Sequence, residues 1–535
     1  MTEVVADQTP PVLHRPSEKE KKYDRQLRLW AASGQAALES ANLLLVNSGS
    51  GTVGVETLKN LVLPGIGRFT IFDEATVCEA DLGVNFFLDE DSIGKPRARC
   101  CVELLVELNP EVQGEWQPNH EAGRLGLEQL LGQASPTYSL IIYSHPISKS
   151  DRGLLESYGR QHGTPLIAVH SAGLYSYFRV ELPGAFPIVD THPDETATTD
   201  LRLLGPWPEL VDFAKGMTAD IDSLDNHQHG HLPYVVILLY YLEQWKTSHD
   251  GRYPSTYAEK TAFRKIVSEA QRRDNGEGGE ENFDEAVAAV LKTISPPSLP
   301  SGLKEVFKYL DTHKDEAKGS FWVIASAVRA FWEKHQCLPV PGKVPDMKAQ
   351  SSVYIQLQNI YKAKARLDVA EVLETVRSSP GGGGIEPAEV ELFCKNAAFV
   401  KLINATETGP SADRLASVVE AELANDKNAE AMMMPLSLIP IYVALSATAH
   451  DPAATTEQIT GAMRDMLPSA AWNDRLAKAA EEVARAGGGE LHNISALTGG
   501  MVAQEVIKII TKQYIPVDNT CIFDGIGSRC QTLRL

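Results

Sequence analysis

The groups in this chain best suited to holding phosphate lie in one short stretch. Gly49-Ser50-Gly51-Thr52-Val53-Gly54 sets three glycines in a GxGxxG spacing. Glycine lets a backbone turn sharply and come close to a phosphate. A helix starting there presents unpaired N–H groups to negative charge. Asp73 stands nineteen residues beyond Gly54, the separation at which a carboxylate can accept from a ribose hydroxyl. An NAD-dependent oxidoreductase with a helical substrate domain is one reading of that pattern. A plainer one is a glycine turn that packs a helix and binds nothing.

Other reactive groups are sparse. Seven cysteines are scattered with no CxxC pair, which argues against a zinc knuckle. Their odd number, and a start without an apolar leader, fit reduced thiols and an intracellular setting. His227, His229 and His231 alternate; in extended backbone their rings would face one way. No further acid, cysteine or histidine is spaced to close a site, so no metal is expected.

The elements that position these groups can be read from periodicity. Residues 43–47 are a short apolar run, as for a buried parallel strand. Val55, Leu58, Leu61 and Val62 then recur at helical spacing, and 69–72 form a second strand ending at Asp73. Further buried strands are expected over 138–143, 166–170 and 177–182. Ahead of the first strand, Tyr23, Leu27 and Trp30 share one helical face, with Arg25 and Arg28 off it. Strands alternating with helices over 40–183 predict a parallel or mixed sheet covered on both faces.

From about residue 200 to 485 the periodicity is almost wholly helical, with candidates over 234–245, 257–271, 282–294, 320–335, 353–377, 387–401, 411–424 and 456–466. The 274–282 and 381–384 stretches read as flexible connections. An apolar helix over 490–512, with Gly499-Gly500 for close packing, and a strand over 521–523 restore α/β character. The expected organisation is a disordered 1–18, an α/β part over 19–183, a helical insertion over 184–486, and a return over 487–535.

Composition narrows the function classes. Apolar residues make up 43% and charged residues 22%, as in a globular protein, and 535 residues allow more than one core. Acids outnumber bases 70 to 50, giving a formal charge of −20, which argues against nucleic-acid or anionic-membrane partners. The apolar run 436–447 is interrupted and too short to span a bilayer.

Several motifs occur together and in order: Tyr23-Asp24-Arg25-Gln26-Leu27-Arg28-Leu29-Trp30, the glycine turn, Asp73, Gly94-Lys95 and the helix over 490–512. Together they resemble the activating-enzyme family for ubiquitin and ubiquitin-like modifiers. The likeness extends through the insertion at Phe321-Trp322, Leu338-Pro339-Val340, Val344-Pro345-Asp346-Met347 and Leu392-Phe393-Cys394. Within the family it is nearest to the regulatory halves of heterodimeric neddylation-type enzymes. The resemblance implies an α/β, Rossmann-like adenylation domain (ThiF/MoeB-like) interrupted by a large, mostly helical insertion.

It also implies what is missing. Active members carry an asparagine-leucine-asparagine-arginine-glutamine block after the second strand; here Asp81-Leu82-Gly83-Val84-Asn85 stands there. Where they place a magnesium-binding aspartate, this chain has Ser144-His145-Pro146. Adenylation needs held phosphates, an oxygen-ligated metal and fixed donors for developing charge. Gly49, Gly51, Gly54, Asp73 and Lys95 are therefore expected to be a retained scaffold. ATP and magnesium would be bound by the partner subunit, and this chain would have no cofactor of its own.

Thioester chemistry needs an exposed, low-pKa thiolate. Cys337 and Cys394, the candidates in the insertion, lack the proline-x-cysteine-threonine context, so the insertion is expected to be a catalytic-cysteine-like domain without its cysteine. The positive expectation is Arg25, reaching in trans to phosphates held by the partner. Implied partners are a catalytic activating-enzyme subunit, a ubiquitin-like modifier and a conjugating enzyme. Candidate partner contacts are Tyr23, Arg28, Trp30 and, in the proline-rich loop, Leu338, Pro339, Asp346 and Met347. The expected location is the cytoplasm and nucleus.

Overall fold

The computed structural model describes residues 16–119, 126–194, 199–273, 279–405, 412–467 and 472–535. Its strands are β1 (Asn42–Val46), β2 (Arg68–Phe72), β3 (Gln113–Gln117), β4 (Leu140–Ser144), β5 (Leu166–Ala172), β6 (Tyr175–Glu181), β7 (Gly184–Val189), β8 (Val400–Ala405), β9 (Thr520–Asp524) and β10 (Arg529–Leu533). Eight form one sheet in the order β10-β9-β6-β5-β4-β1-β2-β3, and β7 pairs with β8. From β3 to β5 the pairing is parallel; β6, β9 and β10 add antiparallel strands. β1, β4 and β5 are buried along their whole length. Strands covered on both faces need apolar residues at every position, hence the unbroken runs in the sequence.

The chain divides into two compact units. One runs to Phe186 and resumes at Ile403; the other is Pro187–Leu402. The return to the α/β unit therefore comes at 403, not at 487. Helices Ile439–Ala447, Thr456–Met466 and Asp474–Ala486 belong to the sheet: Ile439, Val443, Ile459, Leu476 and Val483 share a core with Tyr177 of β6 and Ile522 of β9. A helix covering a sheet and a helix in a bundle show the same 3.6-residue stripe, so periodicity alone extended the insertion too far.

Smaller differences have local causes. Ser17 caps helix Glu18–Lys22 through a reciprocal box with Glu20, so regular structure begins inside the stretch expected to be disordered; 1–15 lie outside the described residues. The helix expected over 387–401 stops at Lys395, and the branched run that follows becomes β8. Of the connection expected over 274–282, 274–278 lie outside the described residues, while Glu280 and Asn282 are buried.

Helix His492–Thr511 is long and apolar enough, by length and composition, to cross a bilayer. Here it packs on helix Thr52–Val62 instead. A Cβ on Gly499 would come within 2.8 Å of the Thr57 nitrogen, whereas one on Gly500 would meet nothing within 4 Å. Only the first glycine of the pair makes the close approach.

Candidate functional site

The sheet order reverses between β1 and β4, where ligands bind in doubly wound folds, and the glycine turn lies at the carboxyl end of β1. Gly49 and Gly51 both have positive φ, +60° and +68°, and Gly51 caps helix Thr52–Val62. The space beside these glycines is taken by the chain itself. A Cβ on Gly51 would lie 2.3 Å from Asn47 Nδ2, one on Gly54 2.6 Å from Asn47 Oδ1, and one on Gly49 2.9 Å from Pro146.

The anion seat at the helix amino terminus is also filled. Val53 N–H donates to Glu490 Oε2 at 2.8 Å, and Ser495 Oγ donates to the same oxygen at 2.6 Å. Glu490 is buried. Burial raises its pKa, while the Ser495 and Val53 donors and the charge of Arg97 oppose the rise. A carboxyl group thus stands where these N–H groups would otherwise meet a phosphate.

Asp73 is equally occupied. Its Oδ2 accepts from Arg97 Nε at 2.8 Å and from Asn47 Nδ2 at 3.0 Å; its Oδ1 accepts from Arg97 Nη2 at 3.2 Å and Ala75 N–H at 2.9 Å. Four donors fill the lone pairs of a carboxylate, so none remains for a ribose hydroxyl. Arg97 Nη1 also donates to Asp81 Oδ1 and to the Ser50 carbonyl. Arg97, Asp73 and Asp81 are all buried. Burial works against the Arg97 charge, but the two aspartates win and raise its pKa. Asp81 is therefore part of an internal ion cluster.

At the end of β4, Ser144 Oγ accepts from Ser48 N–H at 2.9 Å. His145 is buried with Nδ1 3.3 Å from the Ala449 carbonyl, and burial pushes its pKa down to about 4. Lys95 is exposed in a turn where Gly94 has φ +79°. Among the described residues no group of three or more His, Cys, Asp or Glu is placed to hold a metal.

The residues ahead of β1 divide sharply. Tyr23 and Trp30 are buried in this chain's own core, which removes them as partner contacts. The Tyr23 hydroxyl accepts from Asn109 Nδ2 at 3.0 Å and donates to Glu111 at 3.2 Å. Trp30 Nε1 donates to Gln35, and its carbonyl accepts from Gln513. The helical run Asp24–Glu39 is broken at Trp30 and Ala31, the latter with φ +55°. Arg28 is exposed and pairs with Asp24 at 3.0 Å. Arg25 is exposed with no ion pair or hydrogen bond among the described residues.

In the helical unit the proline-rich loop is fastened down. Pro339 and Met347 are buried, Leu338 is half-buried, and Asp346 faces solvent. The Leu338 carbonyl accepts from Arg202 at 2.6 Å, and Val340 N–H donates to buried Asp368 at 2.9 Å. Cys394 is buried and its thiol is pushed up to about 12 by burial. Cys337 accepts from Arg202 Nη1 at 2.8 Å, and burial raises its pKa. His335 turns instead to Glu371, 2.9 Å away.

The three alternating histidines do not face one way, because Asn226–His229 is helical. His227 and His231 stack with ring centres 4.2 Å apart, while His229 points inward, 2.7 Å from Glu280. Glu490, Arg97 and Asn47 carry the geometry of the crevice but were not singled out from the sequence. The available signal was Arg97's place two residues after Lys95 in an otherwise recognisable motif.

The model of the ThiF family matches residues 23–535. "NEDD8-activating enzyme E1 regulatory subunit" of Danio rerio is 34% identical, covering 97% of this chain and 99% of that protein. The Drosophila melanogaster protein of the same name is 34% identical over 97% of this chain and 98% of its own length. "NEDD8-activating enzyme E1 regulatory subunit AXR1" of Arabidopsis thaliana is 32% identical, with 97% of both chains covered.

Proposed function

From the premise that this chain belongs to the ThiF family, with regulatory subunits of NEDD8-activating enzymes as full-length relatives, we propose that it is the non-catalytic half of a heterodimer. That heterodimer adenylates the terminal glycine of a ubiquitin-like modifier, NEDD8 by the names of the relatives, with ATP. A catalytic subunit binds the ATP and magnesium and carries the thioester. The charged modifier then passes to a conjugating enzyme.

The observation that carries this reading is the filled crevice. Glu490 sits on the helix amino terminus and Arg97 saturates Asp73. A phosphate brought there would have to displace a buried carboxyl group from the Val53 N–H.

Arg25 supports the contribution in trans. It is exposed, with no ion pair or hydrogen bond among the described residues, and its planar, permanently charged guanidinium suits phosphate in a site built elsewhere. Buried Tyr23 and Trp30 anchor the two ends of the roughly two helical turns that present it. In the complex with the catalytic subunit, Arg25→Ala should slow ATP–pyrophosphate exchange about 10- to 100-fold, the worth of one charge-assisted contact, while the heterodimer still forms. Unchanged exchange would remove Arg25 from the mechanism.

A further inference from the structure

The α/β unit carries a second cleft, of about 590 Å³. It lies where the first residue of β5, Leu166, pairs with the last residue of β6, Glu181. This is the opposite end of the parallel strands from the glycine turn. Helix Lys149–His162 supplies Arg152 and Arg160, β6 supplies Arg179, helix Ala412–Ala431 supplies Arg414, and Arg534 follows β10. Five guanidinium groups face three carboxylates, Glu156, Glu181 and Asp518.

Two of those acids already have partners. Arg152 pairs with Glu156 at 2.7 Å, and Arg534 lies 3.6 Å from Asp518. Arg179 is different. It is only 5% exposed, and its buried Nε makes no hydrogen bond. The nearest carboxylate oxygen is that of Glu181, 3.5 Å from Nε. An unused donor on a buried cation costs about 1–3 kcal/mol. Such a group persists most readily where a ligand completes it.

We propose that this cleft binds a small anion bearing several phosphate groups. The volume is that of a small-molecule site. The guanidinium fork matches phosphate oxygens two at a time. The arginines come from three separate elements and the residue after β10, which suits an anion charged at several points.

The test is calorimetric titration of the full chain with inorganic tripolyphosphate at about 150 mM salt, where exposed charges are screened. Saturable one-to-one binding is expected. Arg160→Gln combined with Arg534→Gln, both exposed positions, should weaken it about tenfold or more, the scale of one lost charge-assisted contact. Arg179→Lys, which keeps the charge and loses the fork, should weaken it similarly. Arg25→Gln should leave it unchanged. Absence of saturable binding, wild-type affinity in the double variant, or an equal loss in Arg25→Gln would each overturn the proposal. Citrate binding as tightly as tripolyphosphate would overturn its assignment to phosphate.

Discussion

Replacing Arg97 by methionine removes a buried cation that two buried aspartates share. Four hydrogen bonds are lost, two to Asp73, one to Asp81 and one to the Ser50 carbonyl. Methionine fills most of the volume, so the cost is electrostatic. Breaking a buried pair by deleting one partner costs about 3–5 kcal/mol, because the other charge stays behind in a poorly solvated place. One guanidinium serves both aspartates, so the two pairs do not simply add, and about 4 kcal/mol is expected. The chain has two units, which makes a single unfolding midpoint ambiguous. Hydrogen exchange resolved to peptides over β1 and β2 reads the right region. Since about 1.36 kcal/mol is a factor of ten, exchange there should speed up about a thousandfold. Adding Asp73→Asn and Asp81→Asn to Arg97→Met should restore most of the protection. A loss below about 1 kcal/mol, or a triple variant no better than the single, would refute the view that this cluster is a buried ion network closing the crevice.

His145 has its pKa lowered to about 4, chiefly by burial, so the folded state excludes a proton the unfolded chain accepts. Its contribution is present above about pH 6.5 and is lost as pH falls toward 4; between pH 7 and 5 this one group should cost the α/β unit about 2 kcal/mol, read by hydrogen exchange. His170, 5.1 Å away and with its pKa also lowered by burial, adds a loss of the same sign, so His145→Gln should reduce the slope without abolishing it. Gly499→Ala should cost about 1–3 kcal/mol by forcing helix His492–Thr511 away from Thr57, while Gly500→Ala, facing open space, should be neutral or slightly stabilising; equal effects in protection of helix Thr52–Val62 would contradict the packing. The chain alone, given ATP, magnesium and modifier, should form no reducible adduct, since burial raises the pKa of both Cys337 and Cys394; an adduct mapped to either on non-reducing gels would disprove this.

What could be read in the residues themselves was whatever depends on neighbours in the chain. The runs at 43–47 and 69–72 became β1 and β2, and the helix over 320–335 matched Ser320–His335, because a strand or helix is specified by its own periodicity. Even the clearest local patterns left the state of the site open. Asp73 has the right spacing for a ribose, yet its lone pairs go to Arg97, twenty-four residues away. The glycine-turn helix has the right start for a phosphate, yet Glu490, 437 residues on, reaches it first. Tyr23 and Arg25 sit two residues apart on one motif, and only packing decided that the first is core and the second exposed. Local sequence determines which element forms. Which charge meets which, and which side chain reaches water, depends on segments brought together by the sheet order.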